Sequence, residues 1–231
     1  MSFIHNIETI RETISQNKVT PEVILVGVTK TLDLEETQAA ISAGLIHLGE
    51  NRLQNALPKI DALSTNPSLI WHYIGSIQKN KIKKIVAYFS FIHSVDDWET
   101  LALIDKYAKE LNRKPSVLLE INISGESSKH GFTAQEVMQN IQSVTQYENL
   151  NFVGYMTMAP NTQDEKALHT IFSSLKILAE QIKTGGVGYK YLSMGMSNDF
   201  KIALAEGSNM IRLGTILFLK GVKASWKQKK I

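Results

Sequence analysis

The chain has 231 residues, 43% hydrophobic and 20% charged, and no cysteine. Disulfides, thiolate metal sites and cysteine nucleophiles are therefore excluded, and we expect one globular domain over residues 1–231, located in a reducing cytoplasm. Much of the formal net charge of +3 comes from residues 79–84 and 223–230, which lack the aromatic residues or groove-reading helix typical of nucleic-acid binding. No apolar run is long enough to cross a bilayer, and residues 1–11 lack the apolar stretch of a signal peptide. We therefore expect neither nucleic acid nor a membrane as a partner.

Short apolar runs alternate along the chain with segments of helical period. The runs lie at residues 23–28, 45–48, 69–74, 89–95, 117–123, 150–155, 191–194 and 210–213. Such alternation is typical of βαβ units, and eight strands predict an α/β fold, a single (βα)8 TIM-type barrel. We also predict an extra N-terminal helix at residues 3–16 and no C-terminal β domain. An open doubly wound sheet is the alternative, although no Gly-rich dinucleotide loop follows the first strand.

Four of the predicted helices carry the start signal of a capping box, in which a cap residue is followed three positions later by glutamate. The cap residues are Asp33, Asp96, Thr133 and Thr162. Glycines at position 44 and at positions 185 and 186 mark helix ends. These signals place helices between the apolar runs, as the barrel requires.

Lys30 directly follows the first apolar strand. Active-site residues of (βα)8 barrels gather at the C-terminal ends of the strands, so we expect this side chain to point into the barrel mouth. Partial burial there would lower the pKa of its ammonium, because burial disfavours the charged form. A neutral amine is what a Schiff base with an aldehyde requires. A surface lysine at a strand end is the alternative.

The loops after the seventh and eighth strands have the residues of an anion site. Gly195 and Ser197 follow the seventh strand, and Gly214 and Thr215 follow the eighth. Barrels often bind phosphate in these two loops, through backbone N–H groups that glycine leaves accessible and through hydroxyl donors. A helix that begins just after Ser197 would turn its positive end towards the anion. Ordinary turn glycines and helix caps are the alternative.

Two polar residues stand inside otherwise apolar strands. Arg212 lies in the eighth strand, where burial is costly unless the guanidinium is paired or points into a polar pocket. A salt bridge to Glu206 is the alternative for it. His72, in the third strand, either stacks on a ligand or is a hydrogen-bonded core histidine. No paired histidines on a helix suggest zinc, and no serine stands in a nucleophile elbow.

Nine short motifs together resemble a known family. They are VTKT at 28–31, GEN at 49–51, WHYIG at 71–75, QKNK at 78–81, NIS at 122–124, KHG at 129–131, GYM at 154–156, LSMGMS at 192–197 and RLGT at 212–215. In this order they resemble the pyridoxal 5′-phosphate (PLP) homeostasis proteins, which are similar to the barrel domain of alanine racemase, of PLP fold-type III. The resemblance spans about residues 23–218 and implies an alanine-racemase-like barrel.

The resemblance also implies roles for residues. Lys30 would hold PLP as a Schiff base, and Arg212 would lie near the pyridine nitrogen. Phosphate would be bound by Ser197, Gly214 and Thr215. Further cofactor-binding or accessory positions near the pocket, with less definite roles, are Asn51, His72, Lys129, Met156 and Gly195.

Arg212 also bears on the chemistry that the resemblance implies. Because arginine stays charged and cannot accept a proton, the pyridine nitrogen should remain neutral, which weakens carbanion chemistry. The resemblance therefore implies a PLP-binding protein of intracellular PLP homeostasis, a buffer or a carrier to apo-enzymes, monomeric and with little or no catalysis. A PLP-dependent amino-acid racemase with Tyr155 or Lys129 as second base is one alternative. A phosphosugar enzyme without PLP is another.

Overall fold

A computed structural model describes residues 3–126 and 130–218 and contains a closed barrel of parallel strands. The strands are β1 Ile24–Val28, β2 His47–Glu50, β3 Ile70–Tyr73, β4 Phe91–Val95, β5 Ser116–Glu120, β6 Asn151–Met156, β7 Tyr191–Ser193 and β8 Met210–Leu213. Each strand pairs with the next, and β8 pairs with β1, with Leu25 opposite Ile211. The predicted (βα)8 barrel is confirmed, and the open doubly wound sheet is wrong.

Helices follow the strands in the order that the periodicity predicts. Within the described residues they are α1 Phe3–Asn17, α2 Leu34–Ser42, α3 Leu53–Ala62, α4 Ile82–Tyr88, α5 Trp98–Glu110, α6 Ala134–Asn140, α7 Glu165–Thr184, α8 Phe200–Ala205 and α9 Thr215–Phe218. Two 3-10 segments, Lys79–Lys81 and Ile141–Gln146, complete the turns before α4 and after α6. None of these helices is long and apolar enough to span a membrane.

The first strand shows how alternation sets the inside and outside of the barrel. Gly27 faces the surrounding helices, because a Cβ added there would lie 2.1 Å from Leu45 Cδ2. Val28 faces the other way, and its Cβ is 3.4 Å from the place that a Cβ on Gly214 would occupy. Lys30 lies two residues beyond the end of β1, in the turn that leads to α2, and lines a cavity there with Leu34, Gln54 and Pro58.

Two of the four predicted capping boxes form, those at the starts of α2 and α6. The other two helices begin slightly later than predicted. Asp97 rather than Asp96 caps α5, and Asp164 rather than Thr162 caps α7, each by accepting a hydrogen bond from the backbone N–H three residues on. Aspartate is as good an N-cap as threonine, so the spacing to a following glutamate did not identify the cap that forms.

The predicted extra N-terminal helix is confirmed as α1. It buries Ile7 and Ile10 almost completely and packs against α8 and α9. Asn6 Nδ2 donates to the backbone carbonyl of Leu217 at 3.0 Å, so the helix is joined to the end of the barrel by a polar contact as well.

The basic cluster at residues 79–84 lies against α5. Lys79 pairs with Glu99, and Lys83 pairs with Glu110 at 2.9 Å while its ammonium lies 5.6 Å from the ring centroid of Tyr107. Two of the four lysines of the cluster are therefore neutralised by the neighbouring helix, which reduces the positive surface available to a polyanion.

Candidate functional site

The C-terminal ends of β1, β7 and β8 meet at one mouth of the barrel. Gly214 lies against Val28, and Ser197 Oγ is 3.5 Å from the backbone N–H of Ile216, so the loops after β7 and β8 adjoin each other and the end of β1. Lys30 follows β1 at the same mouth. The fold thus places the end of β1, which Lys30 follows, at the same end of the barrel as the two loops that the sequence predicts as an anion site.

Lys30 itself is exposed, so its predicted partial burial is wrong: the mouth of the barrel is open to solvent. Its neighbour Thr29 is fully buried and held from outside the barrel. Thr29 Oγ1 donates to Glu50 Oε1 at 2.7 Å, and the Thr29 carbonyl accepts from Lys59 Nζ at 2.7 Å. The backbone beneath Lys30 is therefore fixed while its amine stays accessible.

The loop after β7 is a tight turn that requires glycine. Gly195 has φ +99°, and a Cβ there would lie 2.7 Å from the Cβ of Ala203 in α8. Asp199 closes the turn, because its Oδ1 accepts from the backbone N–H of Met196 at 2.6 Å. The turn presents the half-buried Ser197 beside the exposed Thr215 of the next loop. Backbone N–H groups and two hydroxyls can therefore converge on one anion.

The remaining predicted positions are distributed around the mouth. Asn51 follows β2 and is half-buried. The backbone at Gly75 lies so close to it that a Cβ on Gly75 would be 2.2 Å from the Asn51 carbonyl oxygen. Met156 ends β6, is 1% exposed, and accepts a hydrogen bond from the backbone N–H of Ile121 at 2.8 Å. Lys129 lies outside the described residues.

Arg212 is 4% exposed and is held by neutral oxygens. Its Nη1 donates to the carbonyl and to the hydroxyl of Ser193, at 2.7 and 2.6 Å, and Nη2 donates to the carbonyl of Thr157 at 3.1 Å. The alternative salt bridge is wrong, since Glu206 pairs instead with His169 at 2.6 Å. In the described part of the chain, the guanidinium has no carboxylate at ion-pairing distance.

Two buried carboxyl groups share the field of this cation. Burial lowers the pKa of Arg212 to about 10, and the charges of Glu120 and Asp199 oppose that shift. Burial raises the pKa of Glu120 to about 7, against the effect of Arg212, and burial also raises the pKa of Asp199. At neutral pH the guanidinium is thus fully charged while Glu120 is only partly ionised. The site favours a ligand that is anionic or accepts hydrogen bonds.

Glu120, Ser193 and Thr157 act on Arg212 but are not among the site positions predicted from the sequence. Glu120 carried a usable signal, because an acidic residue inside an apolar strand is as unusual as the arginine that was recognised in β8. Ser193 and Thr157 carried none: their importance comes from hydrogen bonds to Arg212 across 19 and 55 residues of sequence.

His72 is fully buried inside the barrel. Its Nε2 is 2.9 Å from His47 Nδ1, its Nδ1 is 2.8 Å from His93 Nε2, and its ring stacks on Phe91 with centroids 4.5 Å apart. Both ring nitrogens are therefore occupied by other histidines. This geometry favours the core-histidine interpretation over direct stacking on a ligand.

Tyr155, one candidate for a second base, is enclosed in the hydrophobic core. It is 0% exposed and packs edge-on against Phe152 and at a tilt against Tyr189. Burial raises the pKa of its phenol. A group so enclosed cannot reach a substrate at the barrel mouth, so the structure gives the racemase alternative no base at this position.

Comparison with known proteins agrees with this geometry. The sequence matches the family described as alanine racemase, N-terminal domain, over residues 2–220. The pyridoxal phosphate homeostasis protein of Synechocystis sp. is 41% identical over 199 residues, which cover 86% of this chain and 91% of that protein. The protein of the same name from Aquifex aeolicus is 34% identical over 195 residues, covering 84% and 85%.

Solved structures show the same relationship. PipY of Synechococcus elongatus, solved with PLP bound, has a TM-score of 0.86 and 30% identity, covering 94% of this chain and 100% of that chain. Alanine racemase of Clostridium difficile shares the barrel fold, with a TM-score of 0.74 at 16% identity over 95% of this chain and 58% of that chain. The chain therefore belongs to the alanine racemase N-terminal domain family, among the pyridoxal phosphate homeostasis proteins.

Proposed function

We propose that this chain binds PLP as a Schiff base on Lys30 and serves intracellular PLP homeostasis, with little or no catalysis. The observation that carries the proposal is Arg212, a buried cation without an ion pair among the described residues, at the same barrel mouth as an accessible lysine. The relatives named as pyridoxal phosphate homeostasis proteins and the PLP-bound structure of PipY support it.

The residues present fit the cofactor. The accessible amine of Lys30 suits attachment to an aldehyde, since an amine must be deprotonated and unobstructed to attack a carbonyl. The backbone at Gly195 and Gly214 and the hydroxyls of Ser197 and Thr215 would hold the phosphate. Bound PLP supplies an electron-accepting ring, and its strength as an electron sink depends on protonation of the ring nitrogen.

Arg212 limits that chemistry. A guanidinium donates hydrogen bonds and accepts none, so it would hold the ring nitrogen in its unprotonated state. Two-base racemisation also needs a group opposite Lys30, and Tyr155 is sealed in the core. We therefore infer storage and transfer of PLP rather than turnover of amino acids. Within the same proposal, the protein acts in the cytoplasm as a monomer, as one domain over residues 1–231, and passes PLP to apo-enzymes.

Absorbance spectroscopy tests the binding proposal. The purified protein, mixed with PLP, should develop an imine band, and borohydride followed by peptide mass mapping should place the reduced adduct on Lys30. Lys30→Ala should abolish the band, whereas Lys84→Ala, which removes an exposed lysine far along the chain, should leave it intact. A wild-type protein that takes up no PLP would contradict the proposal and favour a phosphosugar ligand in the same anion site.

Hydrogen exchange tests the absence of catalysis. The PLP-loaded protein is incubated with common amino acids in deuterated water, and Cα deuteration is followed by NMR. We expect exchange far below the typical enzymatic rate, on the order of 10 per second. Exchange at enzymatic rates that is lost in Lys30→Ala would instead establish the racemase alternative.

A further inference from the structure

A file of polar side chains crosses the interior of the barrel, where aliphatic residues usually pack. It starts at the half-buried His47, at the N-terminal end of β2, and passes to His72 at 2.9 Å and on to His93 at 2.8 Å. His93 Nδ1 is 2.9 Å from Ser193 Oγ, and Arg212 Nη1 donates to the same oxygen at 2.6 Å. We call the three histidines and Ser193 the histidine relay. It ends at the cation of the proposed PLP site.

The donors and acceptors of the relay can be assigned in one direction. Because a guanidinium only donates, Ser193 Oγ accepts from Arg212, and its own proton is left to donate to His93 Nδ1. His93 then carries its proton on Nε2 and donates to His72 Nδ1. By the same step His72 donates from Nε2 to His47 Nδ1. The opposite direction would leave the Ser193 proton without an acceptor among the described residues.

The environment keeps the relay neutral. Burial lowers the pKa of His72 and His93 well below the ordinary value, and it lowers that of the half-buried His47. Neutral rings each have one donor and one acceptor, which is what a continuous chain of single hydrogen bonds needs. A buried polar network of this kind is rigid when every member is satisfied.

The relay determines which donors of Arg212 remain for a ligand. A guanidinium has five N–H groups, and Ser193 and Thr157 accept three of them. The Ser193 hydroxyl can accept its hydrogen bond from Arg212 only while its own proton points towards His93. The side chain of His93 thus settles the orientation of a hydroxyl that in turn orients the guanidinium.

We propose that His93, backed by His72 and His47, is a positioning residue that fixes Arg212 through Ser193 for contact with the pyridine ring of PLP. The inference rests on the proposed function for its ligand, but the hydrogen-bonded relay is a property of the protein alone. Among the described residues, no side-chain hydrogen bond of the relay reaches Lys30, Ser197 or Thr215, so its effect should be confined to the ring end of the site.

NMR of the ligand-free protein, labelled with the heavy nitrogen isotope, tests the relay without PLP. Ring nitrogen shifts should show the Nε2–H tautomer for His72 and His93, and the Arg212 guanidinium protons should exchange slowly with solvent. His93→Leu should speed that exchange at least tenfold, whereas His93→Asn, which keeps an acceptor for Ser193, should stay within about threefold of the wild type. Protonated rings or the Nδ1–H tautomer would overturn the assignment.

PLP titration tests the consequence for the site. Loss of one hydrogen bond that orients a cation corresponds to about tenfold in affinity. We expect that loss in His93→Leu and also in Ser193→Ala, a smaller change that keeps the test valid if the leucine variant does not fold. His93→Asn should retain most of the affinity, and the exposed His169→Asn should match the wild type.

The two proposals fail in different ways. If the wild type takes up no PLP, the proposed function is wrong, and the exchange rates of the Arg212 protons still decide the relay. If the wild type binds PLP on Lys30 but His93→Leu and Ser193→Ala bind it equally well with unchanged Arg212 exchange, the positioning role is wrong and the proposed function stands.

Discussion

The buried ion pair behind Lys30 offers a direct measurement of how this site is held. Lys59, in α3, donates to Glu50 Oε1 at 2.8 Å and to the Thr29 carbonyl at 2.7 Å. The side chains of Lys59 and Glu50 are 9% and 0% exposed, and Glu50 Oε2 has no hydrogen-bond partner in the described parts of the chain. Glu50 therefore depends on this lysine to balance its charge.

Lys59→Met keeps the length of the side chain and removes the ammonium. Two hydrogen bonds from a charged donor, at about 1.5–3 kcal/mol each, agree with the roughly 3–5 kcal/mol lost when one partner of a buried ion pair is removed. For a chain of this size such a loss corresponds to a decrease in Tm of about 6–20 °C. Urea unfolding followed by circular dichroism measures it, as a lower midpoint at unchanged slope.

Two further variants identify the cause. Glu50→Leu combined with Lys59→Met replaces both charges by apolar groups and should recover part of the lost stability, since the uncompensated carboxylate is gone, while the buried Thr29 hydroxyl and carbonyl each lose a partner. Lys83→Met removes an exposed lysine from its pair with Glu110 and should leave the midpoint unchanged. If Lys59→Met unfolds within about 1 kcal/mol of the wild type, Glu50 is not held as the structure describes and this reasoning is wrong.

Three other substitutions make separate tests of the barrel. Burial raises the pKa of Glu120 from 4.5 to about 7, so the folded protein keeps a proton that the unfolded chain loses, and stability falls as pH rises through this window. Glu120→Gln should therefore raise Tm at about pH 8 and have little effect at about pH 4.5. An equal gain in Tm at both pH values would contradict this. Gly195→Ala, at φ +99°, should lower stability by about 1–3 kcal/mol in thermal melts, while Gly188→Ala, into open space, should not; equal stability of the two would refute the strain. Tyr155→Phe removes a buried hydroxyl without a partner among the described residues, so Tm should hold or rise, and a clear decrease would show that a partner exists.

The fold could be predicted because its signals are local. Apolar runs of strand length, helices of regular period and turn glycines all lie within a few residues of one another, and the closed barrel follows from their alternation. The errors were local too. At α5 and α7 the capping residue shifted by one or two positions, because Asp97 and Asp164 compete as caps with the residues that the glutamate spacing favoured.

The site could be predicted only in part. The apolar pattern of the strands is interrupted at Lys30, at Arg212 and at the two glycine-containing loops, and these interruptions are visible in the sequence. The residues that hold Arg212 do not, because a serine at the end of a strand looks ordinary until the fold brings it to the guanidinium. The relay depends on contacts between β4 and β7 that are 100 residues apart in sequence. Periodicity carries no information about such contacts.

The electrostatics of the mouth connect the proposed storage role to the choice of arginine. Burial of a cation costs free energy unless an opposite charge or hydrogen-bond acceptors compensate it. Here the charges of Glu120 and Asp199 act on Arg212, but both carboxyl groups have raised pKa values and offset its charge incompletely. A ligand atom that accepts a hydrogen bond from the guanidinium would offset part of this cost, and ligand binding should stabilise the protein by an amount that grows with the logarithm of ligand concentration over Kd. The same guanidinium donates a hydrogen bond to a ring nitrogen without giving up its proton, so the nitrogen stays unprotonated. In the proposed function, Arg212 therefore favours retention of PLP and disfavours the use of the PLP ring as an electron sink.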